Sequence, residues 1–592
     1  MATSDSRETF RFGPFELDVA AYELRRHGRP VKLERRPMDL LIQLVESRHH
    51  LVSRSDIVDR LWGKDVFVDV ETGVNTAISK VRQALRDSSD VPSFVETIPG
   101  KGYRFIAAVE VGAGPRIDGT SAPALPVRLA VLPFENLSGD CERDYLADGL
   151  AEETIGALGQ VDPEHINVVA RTSTTVYKRC TKSIARIGQE LSADYLVESS
   201  LRADSRRLRI TSRLIRVRDQ VQVWSESYDR EPTNILDLQR DLSRAIAEQV
   251  RFRVSPDRLV ALARRQPRSA DAYDLYLRGR NFANQRTPPT TQRAIEYYER
   301  ATAHDPEYAL AWSGLAMAYA ASPINSDAAP LEVWPRAREA ARQAVRAAPE
   351  LAEAQFALGY VNWMFEWDWT AAEDGFRLAV QLDPSFAQGH QTLGHALSQM
   401  GRHSEGLPIT RRAPELDPLY AMPYAMSSQV AFQARDYPAA RDLARQAIAL
   451  DEEFWIGHMA CGQAYEQLGQ NELALEALTL AARFSCQNSK PISLRGYIFA
   501  KVGRSGEARA LLATLEAVSR QRYVPPYAMA LVHAGLGERE AVFEWLDRAY
   551  HAHDVHLIYL PVDPKWDPYR DDSRFLALLA RCDFMRTARP DL

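Results

Sequence analysis

The sequence predicts a three-part chain: an α+β head, an α/β middle and an all-α solenoid behind them. Residues 8–110 mix short strand-like runs with three helical stretches. From Val127 to about Arg253 strand and helix patterns alternate, and from about Ser269 onward nearly everything is helical with a recurring period. A chain of 592 residues is in any case too long for one core. The predicted boundaries are a head at 8–110, a linker at 111–126, a middle domain at 127–255 and an array at 270–592. The Gly/Pro/Ala-rich run from Gly112 to Pro126 has little that could pack, hence the linker.

Composition narrows the function classes. With 45% hydrophobic and 26% charged residues the chain is ordinary globular material. Its net charge of -6 excludes a basic nucleic-acid coat, so any DNA contact must come from a local patch. No run of eighteen or more apolar residues marks a membrane span, and Met1 to Arg11 lacks the apolar stretch of a secretory signal. A cytoplasmic location with no membrane contact is the expectation. The five cysteines (Cys141, Cys180, Cys461, Cys486, Cys582) are scattered and form no C-x-x-C pair, which predicts reduced thiols and no zinc.

In the head, strand-like pieces at Phe10–Phe12, Phe15–Asp18, Tyr22–Arg25 and Val31–Leu33 precede a helix starting at Pro37. Ser53 is placed to cap a second helix carrying Ile57, Val58, Leu61 and Trp62. A third helix puts Val74, Ile78, Val81 and Leu85 on one stripe and Thr72, Asn75, Thr76, Ser79, Arg82, Gln83 and Arg86 opposite, with Lys80 alongside. No acidic residue interrupts Thr72 to Arg86, as contact with phosphates and base edges would require. Two strand runs then flank a glycine-rich turn with Lys101 near its tip and Arg104 beyond. Basic and acidic side chains are equal in number over residues 1–110, so affinity per head should be modest.

The run V-N-T-A-I-S-K-V-R-Q-A-L followed by V-E-T-I-P-G-K-G-Y-R-F resembles the winged helix-turn-helix of OmpR/PhoB-type regulators over Phe10 to Ala108. The resemblance implies that Thr72 to Leu85 enters the major groove of double-stranded DNA and that the wing approaches the adjacent backbone or minor groove. The site it implies comprises Thr72, Asn75, Thr76, Ser79, Lys80, Arg82, Arg86, Lys101 and Arg104. Asn75, Thr76 and Ser79 stand on a helix that is often richer in arginine, which leaves the DNA sequence it reads open.

The middle stretch opens on a buried-strand pattern, Leu129 to Phe134, and closes on a helix expected at Ile235–Val250. The runs L-A-V-L-P-F-E-N-L-S-G-D and A-D-Y-L-V-E-S-S-L-R resemble the TolB amino-terminal domain, which implies a sensing or spacing role and no reaction. The loop Asn136 to Asp140 has too few glycines, and no following lysine, for a phosphate cradle.

In the solenoid, Pro306, Pro349, Pro384 and Pro418 each stand three residues before an alanine, at spacings of 43, 35 and 34, and Glu452 follows 34 further on. Leu315, Leu358 and Leu393 align, each followed by a small residue. These positions resemble tetratricopeptide repeats, helix pairs that must stack to bury their apolar faces and so build a curved groove. Five clear units are read between Ala272 and Phe484, two degenerate ones beyond, and a capping tail from Leu560 to Phe584. Ser322 to Pro335 reads as an insertion, and Pro414 predicts a kink or early stop. Trp312, Gln355, His390 and Tyr424 share one repeat position, more in keeping with packing than with a groove.

No P-loop, G-x-G-x-x-G, G-x-S-x-G or H-E-x-x-H pattern occurs, so no catalytic residue and no cofactor is expected. His551, His553 and His556 have some metal-ligand flavour but nothing nearby to complete a site. The few residues ahead of the first strand leave no room for a receiver, so control by phosphorylation of an attached receiver is not expected. The leading reading is a one-component transcriptional regulator, not an enzyme. Its partners would be DNA, a protein in the repeat groove (the transcription machinery among the candidates) and a second copy as a homodimer on DNA. A scaffold whose winged helix binds protein is the alternative. A nucleotide cyclase relative is a third class, opposed by the winged helix standing where a catalytic domain would.

Overall fold

Alternating apolar residues in the first thirty positions build a meander whose inner face is phenylalanine and leucine. In a computed structural model, strands β1 (Glu8–Phe12), β2 (Phe15–Asp18), β3 (Glu23–Arg26) and β4 (Arg29–Val31) pair antiparallel in sequence order. The structure describes residues 8–18, 23–26, 29–31, 33, 35–48, 50–62, 70–85, 87–88, 92–107, 109–113, 127–140, 144–161, 166–203, 207–230, 241–242, 245–246, 267–285 and 288–584. The chain divides into two compact units at Ala124/Leu125.

In the first unit, helices α1 (Arg35–Glu46), α2 (Arg54–Trp62) and α3 (Val70–Leu85) surround one core with a three-stranded sheet of order β5-β7-β6. Its strands are β5 (Leu51–Ser53), β6 (Val95–Ile98) and β7 (Gly102–Phe105). The first helix begins at Arg35, two residues before the predicted Pro37. Ser53 and Asp56 cap α2 reciprocally, the Asp56 N–H donating to Ser53 Oγ (3.1 Å) and the Ser53 N–H to the Asp56 carboxylate (3.1 Å). A further strand, β8 (Glu110–Ala113), pairs with β1. It takes in Val111, Gly112 and Ala113, which the sequence assigns to the linker. Residues 114–126 lie outside the described residues.

The second unit contains the middle domain and the repeats together. Strands β9 (Val127–Val131), β10 (Glu135–Asn136), β11 (Ile166–Val168), β12 (Tyr195–Ala203), β13 (Leu208–Arg216) and β14 (Val221–Arg230) form one sheet. Its order is β11-β9-β12-β13-β14; β9 runs parallel to β11 and β12, the later pairs are antiparallel, and β10 pairs with β12. Helices α4 (Asp144–Val161), α5 (Arg171–Thr175) and α6 (Ile184–Leu191) cover it. Of the closing helix expected at 235–250, only 241–242 and 245–246 are described; Leu242 and Ile246 are buried.

The repeats follow as helix pairs: α7 (Ala270–Ala283) with α8 (Pro288–His304), α9 (Ala309–Ser326) with α10 (Pro330–Ala347), and α11 (Ala352–Val361) with α12 (Trp369–Leu382). Next come α13 (Ala387–Gln399) with α14 (His403–Leu416), α15 (Ala421–Gln433) with α16 (Tyr437–Leu450), and α17 (Trp455–Gln467) with α18 (Asn471–Phe484). Two more pairs, α19 (Ser489–Lys501) with α20 (Ser505–Ser519) and α21 (Pro526–Leu536) with α22 (Arg539–His551), precede α23 (Ser573–Arg581). Six pairs, not five, therefore lie between residues 270 and 484 among the described residues. The five proline-type markers each sit at a junction, and five junctions separate six units. The insertion is absorbed as two helices of 18 residues each.

Packing corrects the early stop expected at Pro414. Helix α14 runs through Pro414 to Leu416, because its tight seat on α13, where a Cβ on Gly406 would lie 2.5 Å from Gly394 O, outweighs one lost backbone bond. The column at Trp312, Gln355, His390 and Tyr424 serves the turns: each side chain donates to the carbonyl six residues back, at Pro306 (2.8 Å), Pro349 (2.7 Å), Pro384 (2.9 Å) and Pro418 (3.1 Å). His458 repeats the bond to Glu452 O at 2.8 Å.

The middle domain is fastened to the repeats along α4 and again at α5. A Cβ on Gly149 would fall 2.5 Å from Leu277 Cδ2, so a larger residue there would have to displace the Leu277 side chain of α7. Arg280 pairs with both Glu152 and Glu153, and Tyr276 donates to Glu153 Oε1 (3.2 Å). Farther along, Ser173 Oγ donates to Asp417 Oδ1 (2.5 Å) and receives the Leu419 N–H (2.8 Å). In other repeats that N–H goes to the repeat's own aspartate, as Ser385 N to Asp383 Oδ1 (3.0 Å) and Glu453 N to Asp451 Oδ1 (3.1 Å).

The array also winds back upon itself. Asp327, just after α9, accepts from Ser489 Oγ (2.8 Å) and Arg522 (2.7 Å). The His553 ring stacks on Trp334 and Trp367 at 4.9 and 5.0 Å between centroids. The first helices carry a buried polar ladder, His395, Gln429 and Gln463, 34 residues apart. Burial lowers the His395 pKa to about 3, leaving a neutral ring whose Nε2 accepts from Gln399 and Gln433, both at 3.3 Å. This ladder meets the chain's own 3₁₀ turns Val555–Tyr559 and Pro564–Tyr569: Lys565 Nζ donates to Gln463 Oε1 (2.9 Å), and the Tyr559 ring lies 6.0 Å from His395. Along this ladder the first-helix face is thus met by residues 555–569 of the chain itself.

Removing Arg280 tests this fastening. Glu153 is 4% exposed, and burial works to raise the Glu152 pKa while Arg280 and Arg171 hold it below the ordinary value. Arg280→Ala strands the buried Glu153 carboxylate and leaves Glu152 with Arg171 alone, and is expected to cost about 3 kcal/mol or more in a urea titration followed by far-UV circular dichroism. Because the folded-state pKa of Glu152 is depressed, the wild-type advantage is present above the ordinary carboxylate range and lost as pH falls through the folded value. An unchanged midpoint at neutral pH contradicts the assignment.

Candidate nucleic-acid interface

Helix α3 is amphipathic in the strict sense that one stripe is core and the other is open. Val74, Ala77, Ile78, Val81 and Leu85 are buried against α1 and the small sheet, while Asn75, Thr76, Ser79 and Gln83 are exposed. Lys80 is half-buried at the flank. Thr72 lies within α3, but its side chain is not among those described, and Arg86 lies outside the described residues.

The hairpin after α3 is held to it by charge. Asp87 takes the N–H of Ser93 (2.6 Å), Phe94 (3.2 Å) and Val95 (2.8 Å) on one carboxylate, which fixes where β6 begins. From the last turn of α3, Arg82 donates through Nη2 to Val95 O (2.8 Å) and Thr97 Oγ1 (2.9 Å). This corrects the expectation that Arg82 faces solvent opposite the apolar stripe: its guanidinium is half-buried and bonded to the wing. No local pattern in the sequence ties a helix residue to a strand thirteen positions on.

The wing tip is a tight turn over β5. The Lys101 N–H donates to Ile98 O (3.0 Å), and Lys101 itself is exposed. Gly102 stands at φ +155°, and a Cβ there would sit 2.1 Å from Val52 O, so the approach of β7 to β5 requires glycine. Arg104 lies opposite Glu96 across the hairpin, 3.7 Å from its carboxylate. Sequence reasoning missed Arg54 and Tyr103. Arg54 Nη2 donates to Tyr103 Oη (3.1 Å) and Asn75 Oδ1 (3.3 Å), and the Tyr103 hydroxyl donates to the same Asn75 oxygen (3.1 Å). The aromatic and the arginine were visible in the sequence, but their meeting depends on the closed wing.

The other candidate cluster is dispersed. His553 stacks on tryptophans, His556 bonds Asp554 through Nδ1 (2.8 Å), and His551 lies by Asp547 (3.6 Å). No group of metal-ligating side chains is present among the described residues. No helix among them is long and apolar enough to cross a membrane. Cys180, Cys461, Cys486 and Cys582 are free thiols.

If Asp87 sets the wing, Asp87→Ala releases three amides at once. Hydrogen exchange at Ser93 and Val95 should then rise while the amides within α1 keep their protection, at a stability cost of roughly 1–3 kcal/mol. Exchange at those amides equal to wild type would remove the carboxylate from the account.

Comparison with known proteins agrees with this geometry part by part. Residues 28–105 match the family described as transcriptional regulatory protein, C terminal. Residues 126–245 match the HilA/YgeH-like transcriptional regulator, second domain, and residues 291–333 and 426–488 match tetratricopeptide repeats. A Rhizobium meliloti protein named "Putative adenylate cyclase 3" is 31% identical over 294 residues, 49% of this chain and 44% of that protein. The chain therefore spans less than half the length of that relative. The transcriptional regulator HilA of Salmonella typhimurium is 24% identical over 422 residues, 70% of this chain and 72% of HilA. The phosphate regulon regulatory protein PhoB of Rhizobium meliloti is 36% identical over 93 residues, 16% of this chain and 40% of PhoB. The chain carries an OmpR/PhoB-type domain, a HilA-like regulator domain and tetratricopeptide repeats.

Proposed function

We propose that this chain is a one-component transcriptional regulator that binds double-stranded DNA through α3 and the wing. The observation that carries the reading is the open polar face of α3, free of acidic residues from Thr72 to its end and braced against the hairpin by Arg82 and Asp87. Asn75, Thr76 and Ser79 are the candidates for base edges, with Thr72 and Arg86 kept from the sequence. Lys80, Lys101 and Arg104 serve the phosphates. Arg82 moves from base contact to holding the wing.

The match of residues 28–105 to a regulator domain supports this reading over a catalytic one, and none of the three matched descriptions names a catalytic domain. The middle domain acts as the TolB-like sensor or spacer read from its sequence, and its bonds to the repeats make the two respond as one body. A protein partner of the repeats stays part of the reading, on surfaces other than those that residues 555–569 meet. Two copies on paired half-sites are part of it too, and sedimentation of the DNA complex separates one chain from two.

Fluorescence anisotropy of the full chain with genomic DNA fragments at fixed salt tests the proposal. Saturable, sequence-dependent binding is expected, and none at low salt overturns it. Lys101→Ala should weaken all sequences alike and lower the salt slope by about 1, whereas Ser79→Ala should weaken only the preferred ones, by roughly 1–3 kcal/mol. The same loss on every sequence for both variants would contradict the division of roles.

A further inference from the structure

Asn75 is the exposed α3 side chain whose hydrogen-bonding capacity is half spent inside the protein. An asparagine amide has one oxygen with two acceptor sites and one nitrogen with two donor hydrogens. Asn75 Oδ1 takes two donors, the Tyr103 hydroxyl at 3.1 Å and Arg54 Nη2 at 3.3 Å. Its Nδ2 has no partner among the described residues. The donors are themselves fixed. Arg54 Nη2 also donates to Tyr103 Oη (3.1 Å), its guanidinium lies 5.5 Å from the Tyr103 ring centroid, and Tyr103 is 3% exposed within the wing core. Flipping the amide would turn its NH₂ toward an arginine, which has no acceptor, so the orientation is enforced.

Asparagine usually reads adenine with both ends, accepting from N6 and donating to N7. An amide whose oxygen is already occupied cannot accept from N6, and its hydrogens would meet the adenine amino group. Guanine offers two adjacent acceptors, N7 and O6, and no donor beside them in the major groove. Building on the DNA-binding reading above, we infer that Asn75 is held by Tyr103 and Arg54 as a donor only and selects guanine over adenine at the base pair it faces. Tyr103 and Arg54 are positioning residues in this scheme, and the base contact belongs to Asn75.

The test is selection of binding sites from random double-stranded DNA by the full chain, followed by sequencing, for wild type, Asn75→Ala and Tyr103→Phe. The base pair addressed by Asn75 is the one whose preference collapses in Asn75→Ala, and in wild type it should be guanine. In Tyr103→Phe, which keeps the buried ring and removes only the hydroxyl, adenine should gain at that position relative to guanine by roughly fivefold or more, with other positions unmoved. A hydroxyl that merely stabilised the wing would weaken all positions together. Adenine at that position in wild type, no position responding to Asn75→Ala, or a Tyr103→Phe profile that matches wild type or weakens uniformly would each overturn the inference. Selection of no motif by wild type would instead bring down the DNA-binding reading itself.

Discussion

The carboxylate of Asp87, just beyond the last turn of α3, accepts three consecutive amide N–H groups where the wing begins, and Arg82 closes the same junction from the helix side. This junction sets where the wing, with Lys101 and Arg104, stands relative to the α3 side chains proposed to meet DNA. Without it the hairpin would be tied to the head chiefly through β5 and the phenylalanine cluster, in which Phe12 meets Phe105 edge-on at 5.0 Å. With it, Lys101 at the tip and Asn75 on the helix keep a fixed separation, as two contacts to one duplex must. A charged acceptor shared by three backbone donors is stronger and more directional than packing alone.

In the second unit a different constraint dominates. A helix pair cannot bury its apolar face alone, so each pair leans on the next, and the ends need a cover. Here the cover is the chain itself: Trp566 is fully buried, and residues 555–569 lie against the His395–Gln429–Gln463 ladder. The array meets its own beginning through Asp327 and through the stack of His553 on Trp334 and Trp367. Along that ladder, the face the repeat period suggests for docking is met by the chain itself.

The sequence was legible wherever burial imposes a period. The stripe Val74, Ile78, Val81 and Leu85, the strands of the middle domain and the junction prolines all follow from it, and all fall on described elements. It was not legible where a bond joins distant residues. Arg82 meets Val95 across a turn, Tyr103 reaches Asn75 from the hairpin, and Lys565 reaches Gln463 from about a hundred residues away. A helical wheel assigns Arg82 to the exposed face because it records angle alone, not what folds down upon that face. For the same reason the middle domain and the repeats read as separate modules, although Glu152, Glu153 and Asp417 join them into one unit.

The central claim is that the head addresses particular DNA sequences and the rest of the chain does not. Genome-wide mapping of DNA cross-linked to the full chain, beside a chain lacking residues 1–113, tests it most directly. Discrete sites sharing one motif are expected for the full chain and none for the shortened one. Sites without a common motif, or sites that persist when the head is gone, would contradict it.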